Sequence, residues 1–498
     1  WQKDALLARK PGLTDAEFDR RMPPGYFGHR RLLGPDGRYG RWLLGQPAAI
    51  RVNDTVYMHG GPSSLLRLRS IEQLNHDYGA ALATYAAAET ALTKAGLLNF
   101  EDAYARRSDL ARSRLDSLSP GAEQARLAPL VERFRSAAEN PLLGSTGPNW
   151  YRGAALCNEG AEADVLRPFL AQVGARRVVL GHTVARNGTV VTRFDGAVVK
   201  LDAGMNHAVY GGRPAALVSD AAGSRVVYAS PTTPPAEVPA EPLYLSSQDI
   251  GEDAVADLLA RGSIAVTETC APGVLEVRVS HGGNSVDAVF EAADRRTVQH
   301  ELAAYRLDRL LGLGLVPATV ARNHAGQDGV LQGRPAHWAS EQDRLNARNG
   351  TRAGLACQAI SNRTNAAAAR RAPPADASAP KLPTGGDCDL NAQYQLAYAF
   401  DALIGNRARS PDRFLYDSDA TTLFLSGHGA VFGRSTGIAK ALEAPLARTG
   451  AELQDRLRRL DSARLQAALG EFVSQRDIEA LLKRRDRILE LAGPDREQ

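Results

Sequence analysis

The sequence has no apolar run near the roughly 20 residues of a membrane-spanning helix, so no membrane span is expected. Neither sign of charge dominates: 60 Lys and Arg face 56 Asp and Glu, the net charge is +4, and the two signs are interspersed. A nucleic-acid footprint needs a basic patch or stripe, so no nucleic-acid partner is expected. Cysteine is scarce. The four present, Cys157, Cys270, Cys357 and Cys388, fall at spacings that match no zinc motif. They read as buried or free thiols, with Cys357 and Cys388 able to pair across a flexible insert where the compartment oxidises thiols. A start methionine and a signal peptide are missing too. The chain opens Trp1-Gln2-Lys3-Asp4, as a piece cut from a longer protein would. Location is left open, with the periplasm ahead of the cytoplasm if cysteines pair.

What is present is ordinary globular material, 44% hydrophobic and 23% charged over 498 residues. That length is too much for one core and predicts two domains of roughly 230–250 residues. The first is expected over 1–230. Ala49-Ile50-Arg51-Val52 and Thr55-Val56-Tyr57-Met58 predict a hairpin about Asn53-Asp54, a good tight-turn pair. Residues 64–140, rich in Ala, Leu, Glu and Arg, predict helices. Arg177-Val178-Val179-Leu180 predicts a buried strand, and hairpins are expected about Asp195-Gly196 and Ala222-Gly223. Residues 231–242 are Pro-rich, stiff and unable to build a core, and read as a linker. The second domain is expected over 243–498, with a low-complexity insert at 364–386 read as a disordered loop. Its last helix carries a capping box, Ser474 with Asp477, and stops at Gly493-Pro494. Strands separated by helices predict an α/β fold: a layered β-sandwich flanked by helices, followed by a second, α+β domain.

Two predicted strand ends carry histidine beside glycine: Val56-Tyr57-Met58-His59-Gly60-Gly61 and Val178-Val179-Leu180-Gly181-His182-Thr183. A histidine at the carboxyl end of a buried strand projects into the crevice where α/β folds bind ligands. Flanking glycines let the backbone turn sharply and approach a ligand. Taken singly, each histidine reads as a hydrogen-bonded structural residue. As a pair with the same setting, they point to a metal such as Mn, Fe or Zn. His76 and His207 lie in polar, loop-like surroundings and are weaker candidates.

These segments resemble motifs of the calcineurin-like metallophosphoesterases, in particular the bacterial, Shewanella-like branch. Ile50 to Gly61 is similar to the family's His-Gly-Gly segment, and Gly147-Pro148-Asn149-Trp150-Tyr151-Arg152-Gly153 to its Gly-Pro-x-Trp-x-Arg stretch. Val179 to Thr183 resembles the late Gly-His-Thr motif, and Asp202 to Leu217 the closing strand-turn-strand. The resemblance implies hydrolysis of phosphomonoesters, from a protein or a small molecule, by water activated between two divalent metal ions. It implies His59 and His182 as metal ligands and Arg152 as the group that holds phosphate oxygens. The family's early Asp-x-His, Gly-Asp-x-x-Asp-Arg and Gly-Asn-His-Glu motifs are missing. The catalytic residues and remaining ligands are therefore expected upstream of Trp1, and this chain alone is expected to be weakly active or inactive.

Val289-Phe290-Glu291, His300-Glu301, Phe400 to Arg409 and Ser426 to Gly433 together resemble small kinase-like domains. Those need a strand lysine, a helix glutamate, a catalytic aspartate and a metal-binding aspartate. The corresponding positions here read Glu291, Glu301, Ala408-Arg409 and Gly427, so the resemblance implies a degenerate domain without phosphoryl transfer. The other overall reading is a pseudokinase and pseudophosphatase scaffold.

Overall fold

The computed structural model describes residues 12, 14–99, 102–185, 188–220, 223–229, 236–238, 241–242, 251–334, 338–342, 345, 388–407, 409–417 and 422–493. The opening tetrapeptide, the insert at 364–386, Cys357 and Ala408 lie outside the described residues. The fold is mixed α/β, with several sheets and many helices. No helix among the described residues is long and apolar enough to cross a membrane.

The chain divides into two compact units, residues 1–51 with 68–150, and residues 52–67 with 151–498. The first unit is helical. Three short helices, Asp15–Arg21, Tyr26–Leu33 and Arg38–Leu44, lead to three longer ones: α1 (Ile71–Lys94), α2 (Arg107–Asp116) and α3 (Ala122–Ala138). Ser70 caps α1 by accepting from Gln73 N at 3.1 Å. Apolar residues at helical spacing, Leu127, Val131 and Phe134 of α3, meet Ala88 and Leu92 of α1 and Leu115 of α2 in one core. This matches the helices expected over 64–140.

The second unit contains two groups of sheets. In the first, β1 (Thr55–Met58), β2 (Arg177–Leu180), β3 (Val191–Arg193), β4 (Val198–Lys200) and β8 (Glu241–Pro242) lie in the order β1-β2-β4-β3-β8. Strands β1, β2 and β4 are parallel, with Met58 opposite Leu180 and Leu180 opposite Lys200. Val178, Val179 and Leu180 are all buried, the unbroken apolar run that a parallel strand covered on both faces requires. A second sheet, β5 (Ala215–Asp220), β6 (Gly223–Tyr228) and β7 (Ala236–Val238), shares a core with the first through Val179, Val199, Val226 and Tyr228. Strands β7 and β8 fall within the Pro-rich stretch 231–242 read as a linker. Pro242, which has no N–H to give, lies on the edge strand.

The second group begins with α5 (Glu252–Arg261) and an antiparallel sheet of β9 (Ser263–Ala271), β10 (Val274–His281), β11 (Asn284–Ala292), β12 (Thr319–His324) and β13 (Gln327–Gly333). Its order is β9-β10-β11-β13-β12. Helix α6 (Arg295–Leu311) opens on an Asp294 cap and closes on Gly312 at φ +63°, a left-handed stop. A small sheet of β14 (Trp338–Ser340), β15 (Phe414–Asp417) and β16 (Thr422–Leu425) follows. With it go α7 (Leu390–Ile404), α8 (Ala451–Arg458), α9 (Ser462–Leu469) and α10 (Gln475–Ala492). Phe290, Leu307, Leu331, Phe400, Leu423 and Ile478 are fully buried members of one extended core. The capping box expected at Ser474 and Asp477 is present. Arg484 of α10 is buried and gives Nε to Leu403 O at 2.9 Å and Nη1 to Gly433 O at 3.1 Å, so it ties the last turn of α7 to the loop at Gly433.

One segment ties the two groups together. Cys157 forms a disulfide with Cys388, 231 residues away. This corrects the reading of these cysteines as free thiols, and the bond open to Cys388 is with Cys157 and not with Cys357. Nearness in sequence does not decide pairing; folding brings Cys157 and Cys388 within bonding distance, their Cα atoms 5.3 Å apart. Cys270 is also disulfide-bonded, and none of the described cysteines is a free thiol. Next to Cys157, Asn158 Nδ2 donates to Gly314 O at 3.1 Å. A Cβ on Gly160 would come within 2.8 Å of Leu396 Cδ2, so glycine permits close approach of α4 (Glu159–Gln172) to α7. Asp164 accepts from Glu452 N at 3.0 Å, capping α8 whose own N-cap is Gly450.

A cross-link that closes so long a loop restricts the unfolded chain by about 2–5 kcal/mol. Cys157→Ser/Cys388→Ser is expected to lower the unfolding free energy, from urea titration followed by far-UV circular dichroism, by that amount and to move the midpoint down accordingly; an unchanged midpoint would show that the packing alone holds the two groups together.

Candidate functional site

The parallel register of β1 and β2 places the ends of the two strands side by side. His59 follows Met58 directly, and Gly181-His182 follows Leu180, so both histidines emerge on the same carboxyl edge. Their ring centroids are 4.8 Å apart. His182 has φ +59°, a left-handed conformation uncommon outside glycine, and strain of this kind gathers at functional sites. Arg152 comes from a third segment, just before the short helix Gly153–Leu156, and its Nη2 lies 3.0 Å from His182 Nε2. A guanidinium only donates, so His182 Nε2 accepts and the ring carries its proton on Nδ1. His59 is exposed, and Arg152 and His182 are half-buried, so the cluster is open to solvent.

Glycines permit this convergence. A Cβ on Gly61 would press to 3.1 Å on Tyr151 O, and one on Gly153 would collide with the Tyr151 hydroxyl and the Glu162 carboxyl. The Tyr151 hydroxyl donates to Glu162 Oε1 at 2.7 Å behind the cluster. Burial pushes the Glu162 carboxyl up to about 7, with the Tyr151 hydrogen bond opposing.

The structure thus brings together His59, Arg152 and His182. His207 stands apart, with Nδ1 2.9 Å from Gly212 O. His76 lies on α1 in the first unit. The cluster does not by itself fit a metal. Two imidazoles fall short of the four to six ligands a divalent ion takes, and one of their nitrogens faces a guanidinium. Among the described residues no group of three or more His, Cys, Asp or Glu is placed to hold a metal ion.

A second constellation surrounds α6. Glu301 is buried and accepts from His428 N at 2.5 Å, with His428 Nδ1 3.2 Å from its other oxygen. Burial pushes this carboxyl up, but the His428 hydrogen bonds and charge outweigh it and hold it below the usual range. Arg409 grips Asp401 through Nε and Nη2 at 2.9 and 2.5 Å and donates to Ser426 O at 2.6 Å. Arg413 lies against Gly427, whose Cβ would come within 2.8 Å of Arg413 Nε, and its Nη1 is 3.8 Å from Glu291. The partners His428, Asp401 and Arg413 gave no sequence signal of their own, because each is defined by a contact across the fold.

No family model matches the chain, and neither does any curated protein. Among solved structures, the Helicobacter pylori proinflammatory kinase CtkA aligns with 46% of this chain and 92% of its own, at 11% identity and a TM-score of 0.27. A score that low does not establish a shared fold.

A raised carboxyl stabilises the fold below its ordinary value of 4.5, and that stability is lost as pH rises through about 7. Glu162→Gln is therefore expected to melt about 2–4 °C above the parent at pH 8 but not at pH 5, by calorimetry; an equal difference at both pH values would remove Glu162 from this titration.

Proposed function

We propose that the protein binds and hydrolyses phosphomonoesters as a calcineurin-like phosphoesterase, with His59, Arg152 and His182 as this chain's share of the site. The observation that carries the reading is the convergence of three motifs, distant in sequence, on one edge of a parallel sheet. Arg152 offers a planar fork of donors suited to phosphate oxygens. An imidazole beside it can pass a proton to a leaving oxygen. The two β-sheets with a shared core support the calcineurin-like layering within this proposal. The metal-dependent form of the reading, with two Mn, Fe or Zn ions, requires ligands beyond the cluster. The Cys157–Cys388 disulfide supports an oxidising compartment such as the periplasm.

The test is hydrolysis of an aryl phosphate with Mn²⁺ by the full-length protein, alongside calorimetric titration with inorganic phosphate. His59→Ala and His182→Ala are each expected to lower kcat/KM by about 10²-fold or more. Arg152→Ala is expected to weaken phosphate binding about 10-fold or more while metal content stays constant. Full activity in His182→Ala, or unchanged phosphate binding in Arg152→Ala, would sink the reading.

A second reading covers residues 243–498: a degenerate kinase-like domain that transfers no phosphate. Its support is the Glu291–Arg413 pair beside Gly427, an anion on the strand and a cation on the loop, the reverse of what a kinase site needs. Glu301 is engaged by His428 rather than by a strand lysine. Radiolabelled ATP is expected to leave the protein unlabelled; autophosphorylation abolished by Glu301→Gln would overturn this.

A further inference from the structure

We propose that a cavity of about 500 Å³ in the second unit, separate from the histidine–arginine cluster, binds a small phosphorylated molecule that also bears hydroxyl groups. The volume is within the usual range for small-molecule sites. Five arginines line it: Arg167 of α4, Arg309 of α6, Arg456 of α8, Arg459, and Arg464 of α9. Three carboxylates, Asp195, Glu452 and Asp455, complete the charged wall. Five cations less three anions leave two positive charges, the complement of one phosphate dianion.

The arginines divide by what they already hold. Arg456 is structural: Nε meets Glu452 at 2.9 Å, and Nη1 closes the end of α6 on Leu311 O and Gly312 O at 2.8 and 2.7 Å. Arg309 pairs with Asp253 at 3.0 Å. Among the described residues, the carboxylate that Arg167 reaches is Glu452, at 3.8 Å. Arg464 gives one nitrogen to the Arg459 carbonyl at 3.2 Å. Among the described residues, no carboxylate is within ion-pair distance of Arg459 or Arg464, and both side chains are exposed. Donors for a phosphate are therefore in place on Arg459, Arg464 and Arg167.

The carboxylates argue against a bare polyanion, which they would repel, and for a ligand with charge at one end and hydroxyl donors at the other. Asp195 is held on the wall by a strained turn. Phe194 and Asp195, between β3 and β4, have φ +53° and +54°. Turns with two left-handed residues prefer Asn-Gly, and a bulky phenylalanine there is an outlier. The cost is offset by burial of the Phe194 ring, with the Arg193 guanidinium 5.2 Å from its centroid. Strain retained at the rim of a charged cavity fits a binding role.

The test is calorimetric titration of the full chain carrying Arg152→Ala, which silences the phosphate contact proposed above. The probes are glucose 6-phosphate, inorganic phosphate and glucose at low ionic strength. Glucose 6-phosphate is expected to bind one to one, at least ~10-fold tighter than phosphate, while glucose gives no saturable heat. Adding Arg459→Ala/Arg464→Ala is expected to weaken binding ~10-fold or more with an unchanged melting curve, since both side chains are exposed. Asp195→Asn is expected to narrow the gap between glucose 6-phosphate and phosphate. No saturable heat with glucose 6-phosphate, equal binding of phosphate, or unchanged affinity in the double variant would each overturn the proposal.

Discussion

The second unit depends on the stretch from Cys157 to Asp164. It carries a covalent bond to Cys388, a hydrogen bond to Gly314 O, a close helix contact at Gly160 and a cap for α8. These contacts are of different kinds. The disulfide limits the unfolded chain, Gly160 sets the helix spacing, and Asp164 satisfies a helix N–H that Gly450 has no side chain to reach. The segment also lies between Arg152 and β2. Whatever holds it in place therefore anchors the chain between Arg152 and β2, the strand that Gly181-His182 follows.

The histidine–arginine cluster follows from register. Parallel strands in phase deliver their carboxyl ends to one edge, and a histidine placed just beyond each strand must then meet the other. Arginine beside imidazole sets a planar fork of donors on that edge, and the two imidazoles present fall short of the four to six ligands a divalent ion takes. Around α6 the charges are likewise paired across the fold: Arg413 lies 3.8 Å from Glu291 and against Gly427, and Arg409 holds Asp401.

Much of the fold was legible because its signals are local. The strand Arg177–Leu180 announced itself by its apolar run, the hairpin at Asp195-Gly196 by its turn, and α10 by its capping box and its stop at Gly493. Of the cluster, His59 and His182 were legible from their strand-end glycines, and Arg152 from its motif. What could not be read was set by contacts across the chain. The partner of Cys388 lies 231 residues away, and nothing near either cysteine encodes that choice. The Pro-rich 231–242 suggested a linker by composition. Residues 236–238 and 241–242 nonetheless find edges to pair with, because an extended, proline-bearing segment suits an edge strand. The arginine-lined cavity left no trace in sequence, since its walls come from α4, the β3–β4 turn, α6, α8 and α9.

The disulfide also sets an order of events during synthesis. Cys157 leaves the ribosome 231 residues before Cys388, about 10–50 s at usual elongation rates. Cys270 emerges between them. Oxidation in order of appearance would join Cys157 to Cys270 and trap the nascent chain in the wrong connectivity. The native bond thus requires either a thiol kept reduced until α7 has formed, or a mispaired bond later exchanged, so the timing of oxidation is coupled to folding of the second unit.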